Sequence, residues 1–395
     1  MAPPTRSCTN GWRVDPVSAS VFSEQRLPPW RRAVLKVGSS LLAANGGGLS
    51  TAHAQAIAGF VNACHQAGRQ VVVVSSGAVA AGRAIMREQP HDGAEMAERQ
   101  ALAALGQARL IGFWQGLLDR QVAQVLLTHD DLRNRRRYLN ARATLSALLR
   151  HRAVPVVNEN DTVSVDELKL GDNDNLAAIV AALVDADVLF IATDIDGLYD
   201  ADPRRNPDAQ PVEVVSQMTP ALLAAAGGSG SAVGTGGMRT KLEAAQRASA
   251  AGVSTVLFNG TRAEVLEGLA RDTLRGTRIH ALRSRVAVRK HWLQNAPAEA
   301  GGIVIDEGAA NALVEKGASL LPGGVLTADG DFRRGDMVEV RLRTGDGTQR
   351  VARGVSQYSA ADIRRIARRH SREIESVLGY SYGGTVIHRD DLMLV

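Results

Sequence analysis

Short valine-rich apolar runs recur along this chain, each followed by a polar break and then by a stretch with helical spacing. Ala33 to Val37, Gln70 to Val74, Ala123 to Leu127, Val154 to Val157 and Asp187 to Ala192 read as buried strands, and Thr255 to Phe258 as one more. Between them the spacing predicts helices over about 51–66, 94–120, 139–150, 175–184 and 242–249. Such alternation implies an α/β fold: a largely parallel sheet covered on both faces by helices, with right-handed crossovers. The polar strand ends then share one edge, where ligands sit in open sheets of this kind.

Beyond about Ala300 the pattern changes. Gly302 to Gly308, Gly323 to Leu326, Met337 to Leu342 and Val351 to Val355 read as short strands separated by Gly and Asp turns, a small β-rich module with two helices. The later helix, Ala361 to Leu378, sets Ile363, Ile366, Ile374 and Val377 against Arg364, Arg365, Arg368, Arg369 and Arg372. The expected division is a flexible N-terminal extension over residues 1–30, an α/β domain over 31–296 and the module over 297–395, with the boundary near Pro297. The extension holds Pro3, Pro4, Pro16, Pro28 and Pro29 and lacks the apolar stretch of a secretory signal.

The strand ends carry the chemistry. Val157 is followed by Asn158-Glu159-Asn160-Asp161, and a second acidic and amide cluster, Gly171-Asp172-Asn173-Asp174-Asn175, opens the next helix, with Asn173 to Asn175 as candidate cap residues. Either cluster alone reads more readily as a turn. Both together crowd Asp161, Asp172 and Asp174, which is unfavourable unless a cation offsets it, so lysines, an amino group or a metal are expected nearby. Lys36 is the only charge in its strand, and a buried lysine requires an anion. Gly234 to Lys241 runs directly into a helix, so N–H groups and Lys241 can meet an anion there. No Gly-Lys-Ser/Thr occurs, and no G-x-G-x-x-G follows a strand, which sets aside the Walker and Rossmann classes.

Composition narrows the picture less. Hydrophobic residues make up 45% and aromatics 4% of 395 residues, enough for two cores, and no apolar run approaches the ~20 residues of a membrane span. A soluble, cytoplasmic enzyme is expected, with Cys8 and Cys64 as reduced thiols. The net charge of +5 fits an anionic substrate or nucleic-acid contact and separates them poorly. Arg133, Arg135, Arg136 and Arg137 read as a solvated face, an oligomer contact or anion site being the minority view; the arginines of the last helix read likewise as a solvated face, RNA contact being less favoured there.

The runs KVGSS (36–40), SSGAVAAGR (75–83), VVNENDTVS (156–164), GDNDNL (171–176), TDIDGLYDADPR (193–204) and GTGGMRTK (234–241) together resemble the amino acid kinase family, in the branch that ends in a PUA domain. The resemblance covers roughly residues 33–395. It implies an αβα sandwich that moves the ATP γ-phosphoryl group to the γ-carboxylate of L-glutamate, a first step of proline synthesis. By position it implies that Ser76, Asn158, Asp161 and Asn173 bind glutamate. Lys36, Thr193, Asp194 and the run Thr235, Gly236, Gly237, Met238, Arg239, Thr240 and Lys241 would bind ATP. Lys36 and Lys241 would be catalytic, with Asp174 organising them. Further expectations are Mg2+ carried by ATP rather than by a protein metal site, inhibition by L-proline, a homo-oligomer (dimer or tetramer), and hand-over of product to glutamate-5-semialdehyde dehydrogenase.

Elementary chemistry is consistent with that assignment. A carboxylate is already ionised at neutral pH, so phosphoryl transfer to it needs no general base and none of the nine histidines. Two anions must be brought together, which calls for positioning and positive charge. Acetylglutamate, aspartate, carbamate and uridylate kinases are the rivals within the fold, and an RNA-binding protein is the rival of another class. The basic residues of the last helix lack interleaved aromatic platforms, which disfavours the latter.

Overall fold

The computed structural model describes residues 22–44, 48–86, 96–164, 173–203, 206, 208–219, 222–223, 237–284, 287–288, 293, 301–345 and 347–395. Its main sheet has eight strands: β1 (Arg32–Val37), β2 (Gln70–Ser75), β3 (Val122–Leu127), β4 (Val154–Glu159), β5 (Val188–Thr193), β6 (Val214–Val215), β7 (Ser254–Asn259) and β8 (Gly276–Ile279). They lie in the order β3-β4-β2-β1-β5-β7-β8-β6. All neighbours from β3 to β7 are parallel, and β8 runs antiparallel to β7. The strands predicted from valine-rich runs are all present: five are extended by one or two residues, and the run expected over 187–192 is shifted by one, to Val188–Thr193.

Alternation along each strand sorts side chains into two layers. Leu35, Val37, Val71, Val73 and Phe190 meet helices α1 (Thr51–Gln66), α3 (Met96–Leu117) and α7 (Ala263–Ala270) on one face. Val34, Val72, Val74, Leu189 and Ile191 meet α4 (Arg135–Arg150), α5 (Asn173–Leu183) and α6 (Met238–Ala250) on the other. This is the expected αβα sandwich, and burying apolar side chains on both faces is its main source of stability. Helix α2 (Ala78–Met86) lies against α3 with almost no space between the backbones. A Cβ added at Gly106 would stand 1.8 Å from the Ala78 carbonyl oxygen, and one at Gly82 1.9 Å from that of Leu102.

Residues 301–395 form a second sheet of five strands: β9 (Gly301–Ile305), β10 (Val325–Gly330), β11 (Met337–Thr344), β12 (Gly347–Val355) and β13 (Leu392–Leu394), in the order β10-β9-β11-β12-β13. Helices α8 (Glu307–Lys316), α9 (Ala360–Ile366) and α10 (Ile374–Leu378) pack on it around Ile303, Phe332, Tyr358 and Ile363.

Away from the sheet edge, the structure differs from the sequence reading at three places. Phe22, Leu27 and Trp30 are buried, and Gln25–Arg26 pairs with Thr273–Leu274, so residues 22–30 are not a flexible extension; residues 1–21 lie outside the described residues. The Arg69 guanidinium sits 4.4 Å above the Trp30 ring and 2.6 Å from Asp272, which locks that segment down. The helix expected over 361–378 breaks, because the Arg368 N–H donates to the Pro322 and Val325 carbonyls and its φ is +62°. Arg364 there donates to the Ala328 and Gly330 carbonyls, and Arg365 to that of Val377, so these two arginines are structural. Finally, Arg135 is no part of a solvated face: it donates to the Gly335 carbonyl (3.3 Å), joining the two sheets' domains, while Arg133, Arg136 and Arg137 are exposed, as expected. Arg142 adds to the seam, 3.0 Å from Asp185 and 3.4 Å from Asp391.

Cys64 is buried in the α1 layer, and burial pushes its thiol up to about 12. A maleimide is therefore expected to label Cys64 only after denaturation. Mass spectrometry with and without denaturant checks this, and rapid native labelling would contradict it.

Candidate active site

The carboxyl edge of the sheet gathers its polar residues by register. Lys36 of β1 stands level with Val74 of β2, and Val74 level with Val157 of β4, so Ser76 and Asn158 emerge beside Lys36 along one row. After β2 the chain turns at Gly77, whose φ of +111° a side chain would resist. Helix α5 then enters this row from above. Asn173 and Asp174, expected with Asn175 as candidate caps of the helix, are instead its first two residues, followed by Asn175.

These neighbours serve opposite halves of the site. Asp174, fully buried, faces Lys36, whose Nζ lies 2.6 Å from its Oδ1, and Lys241, whose Nζ lies 3.3 Å from its Oδ2. Thr240 Oγ1 is 3.2 Å from the same Oδ2 and 2.9 Å from the Gly237 carbonyl. The acidic crowding noted in the sequence is thus offset at Asp174 by two ammonium groups. Lys36 and Lys241 are themselves buried. Two cations on one carboxylate leave a net positive charge in a poorly solvated place, which is a site for an anion.

Asn173 faces the other way. Its Nδ2 donates to Ser76 Oγ (2.7 Å) and to Asn158 Oδ1 (3.1 Å), and Asn158 Nδ2 donates to Gln107 Oε1 of α3 (3.0 Å). Asp161, half-buried, lies in the turn that follows β4. Behind them Trp114 Nε1 donates to Ser75 Oγ (2.9 Å), fixing the end of β2.

On the far side of Lys36, β5 ends at Thr193, whose hydroxyl is 3.2 Å from Asp194 Oδ1, and the Gly260 N–H donates to the Thr193 carbonyl. Helix α6 begins beyond Gly237, which has no capping side chain, so its first N–H groups point outward. Met238 is half-buried, and the exposed Arg239 pairs with Glu243 at 2.9 Å. Thr235, Gly236 and Asp172 lie outside the described residues. The sequence reading missed Asn259, which ends β7 and donates to Asp196 (2.9 Å), and gave no role to Gln107. The signal for both was present: a polar side chain at a position that strand or helix periodicity buries.

This geometry defines a class, an open-sheet α/β protein whose carboxyl edge sets a doubly cationic anion site against a cluster of amides. The model of the amino acid kinase family matches residues 31–259, and that of the PUA domain matches residues 301–378. The chain is 72% identical over 362 residues to glutamate 5-kinase of Xanthomonas oryzae pv. oryzae, covering 92% of this chain and 100% of that one. It is 67% identical over 377 residues to glutamate 5-kinase of Xylella fastidiosa, covering 95% and 98%. Among solved structures, UMP kinase from Bacillus anthracis aligns with a TM-score of 0.46 at 16% identity, covering 65% of this chain and 98% of that one. The chain belongs to the amino acid kinase family, and within it to the glutamate 5-kinases that end in a PUA domain.

Proposed function

We propose that the chain catalyses transfer of the ATP γ-phosphoryl group to the γ-carboxylate of L-glutamate, giving ADP and L-glutamate 5-phosphate, the first step of proline biosynthesis. One observation carries it: the consecutive residues Asn173 and Asp174 join a cluster of amides to a pair of buried lysines. The identity to glutamate 5-kinases supports the choice of substrate.

In this reading Ser76, Asn158, Asp161 and Asn173 hold glutamate. Thr193, Asp194 and the run Thr235, Gly236, Gly237, Met238, Arg239, Thr240 and Lys241 hold ATP. A γ-carboxylate oxygen attacks the γ-phosphorus and the bond to the β,γ-bridging oxygen breaks, its electrons leaving with ADP. Lys36 and Lys241 neutralise charge that spreads over the equatorial and bridging oxygens, and Asp174 fixes both ammonium groups before substrate arrives. The donor set suits phosphate oxygens, since Asp174 is already shared between two lysines. Mg2+ would bind through those phosphates and keep most of its water shell, adding positive charge when present. A coupled ADP-release assay over amino acids and nucleoside monophosphates tests the reading: activity is expected with L-glutamate, and activity with acetylglutamate, aspartate or UMP in its place would overturn it.

Asp161 is assigned the substrate's α-ammonium. Asp161→Asn is expected to raise the glutamate KM at least tenfold, about 1.4 kcal/mol, with the ATP KM nearly unchanged, and Asn173→Ala to do so more weakly. Equal changes in both KM values together with a lower Tm would instead assign Asp161 to the turn.

L-Proline offers the same α-carboxylate and a cationic amine without the γ-carboxylate, so it is proposed as a competing inhibitor at this pocket. Millimolar proline should reduce activity at low glutamate, and unchanged activity would remove the idea. A cytoplasmic location, a homo-oligomer (dimer or tetramer), hand-over of the acyl phosphate to glutamate-5-semialdehyde dehydrogenase and a domain boundary near Pro297 are proposed on the same family grounds. No described helix is long and apolar enough to cross a membrane.

A further inference from the structure

Gln107 lies on the buried face of α3, in helical register with Ala103, Leu110 and Trp114, which all belong to the core. A glutamine among such neighbours needs partners for both ends of its amide. The polarity of the network decides which end has one. Asn173 Nδ2 donates to Ser76 Oγ and to Asn158 Oδ1, so Asn158 must present its Nδ2 to Gln107 Oε1. The chain of amides therefore terminates at Gln107 Nε2, a buried donor with no acceptor among the described residues. Gln107 is 7% exposed, and a donor so enclosed is unfavourable unless a ligand meets it.

The fold holds this nitrogen firmly. Gly82 and Gly106 allow α2 and α3 to touch backbone to backbone, which seats Gln107 beside the residue where α2 begins, just after Ser76. Strand order then serves as a ruler. Lys36 lies near the end of β1, Ser76 follows β2 and Asn158 lies on β4, and β4 stands two strand spacings from β1, about 10 Å. An amino acid whose γ-carboxylate meets Lys36 runs past Ser76 and carries its α-carboxylate toward β4. Near that end lie Asp161, suited to the α-ammonium, and the Gln107 donor, suited to an acceptor such as a carboxylate oxygen.

We infer that Gln107 is a specificity residue whose Nε2 binds the α-carboxylate of the amino-acid substrate. The inference rests on the reading of the site as an L-glutamate kinase. Gln107→Glu tests it, because the new side chain still offers an oxygen to Asn158 and changes only the donor. At pH 8 the glutamate KM should rise about 30-fold or more, with the ATP KM and Tm within error of wild type. Lowering the pH should narrow that gap, since the carboxyl group introduced by the substitution donates again once protonated, and the wild type measured in parallel supplies the reference. The variant should also lose preference for L-glutamate over L-isoglutamine, whose α-carboxylate is an amide. If Gln107→Glu does not fold, Gln107→Met carries the test, with an expected rise of about tenfold in the glutamate KM alone. A folded variant with unchanged glutamate KM, or with both KM values raised alike, overturns the inference. Wild-type chain that shows no glutamate-dependent ADP release overturns the functional reading, and this inference with it.

Discussion

Lys241→Ala is expected to lower kcat by on the order of 10²-fold or more while the glutamate KM stays nearly constant. The argument begins from position. Lys241 closes the first turn of α6, and its ammonium is turned inward to Asp174 at 3.3 Å rather than outward to water. A charge fixed in a poorly solvated site needs no reorganisation when negative charge develops on the transferring group, so its effect is largest in the transition state. Lys36→Ala should behave alike, since its Nζ lies 2.6 Å from the other oxygen of the same carboxylate. Because both lysines are held by Asp174 and act on the same transferring group, the double variant should lose less than the product of the two single losses. Steady-state kinetics of the three variants decide the matter. A Lys241→Ala enzyme with wild-type kcat would remove the proposed role.

The parallel sheet was legible in the sequence because its strands are buried on both faces and so appear as uninterrupted valine-rich runs. The edge chemistry was legible for a related reason: Lys36 and the Asn158 and Asn173 clusters interrupt those runs with groups that a core does not tolerate. Less legible was the division of labour between Asn173 and Asp174, since which neighbour turns toward which strand depends on how α5 crosses the edge. Gln107 was legible only as a polar side chain at a buried helical position, and its role was not, because only contact between α2 and α3 at Gly82 and Gly106 brings it to the site. The packing of Trp30 under Arg69 and the seam at Arg135 were equally hidden. Proline content and clustered arginines describe solvated chain in general, whereas their partners here, Asp272 and Gly335, are remote in sequence.

Asp174→Ala is expected to be the most damaging single change at the edge, acting on folding as well as catalysis. Asp174 is completely buried and stands between two buried ammonium groups at 2.6 and 3.3 Å. Its removal leaves two like charges enclosed with no counter-ion. Breaking one buried ion pair by deleting a partner typically costs about 3–5 kcal/mol, and here one deletion breaks two. The loss should be smaller than twice that figure, because water can enter the space the side chain leaves and the lysines can move apart. Tm should therefore fall markedly, and kcat by on the order of 10²-fold or more, since neither lysine is then held. Two further measurements separate the charge from the shape of the residue. Asp174→Asn keeps the shape, so it should destabilise nearly as much as alanine if charge is the cause. In the proposed reading ATP brings anionic oxygens to the same lysines, so saturating ATP should raise the Tm of either variant by more than it raises that of the wild type. A Tm unchanged by Asp174→Ala, or an ATP effect no larger than in wild type, would show that the two lysines depend on some other anion.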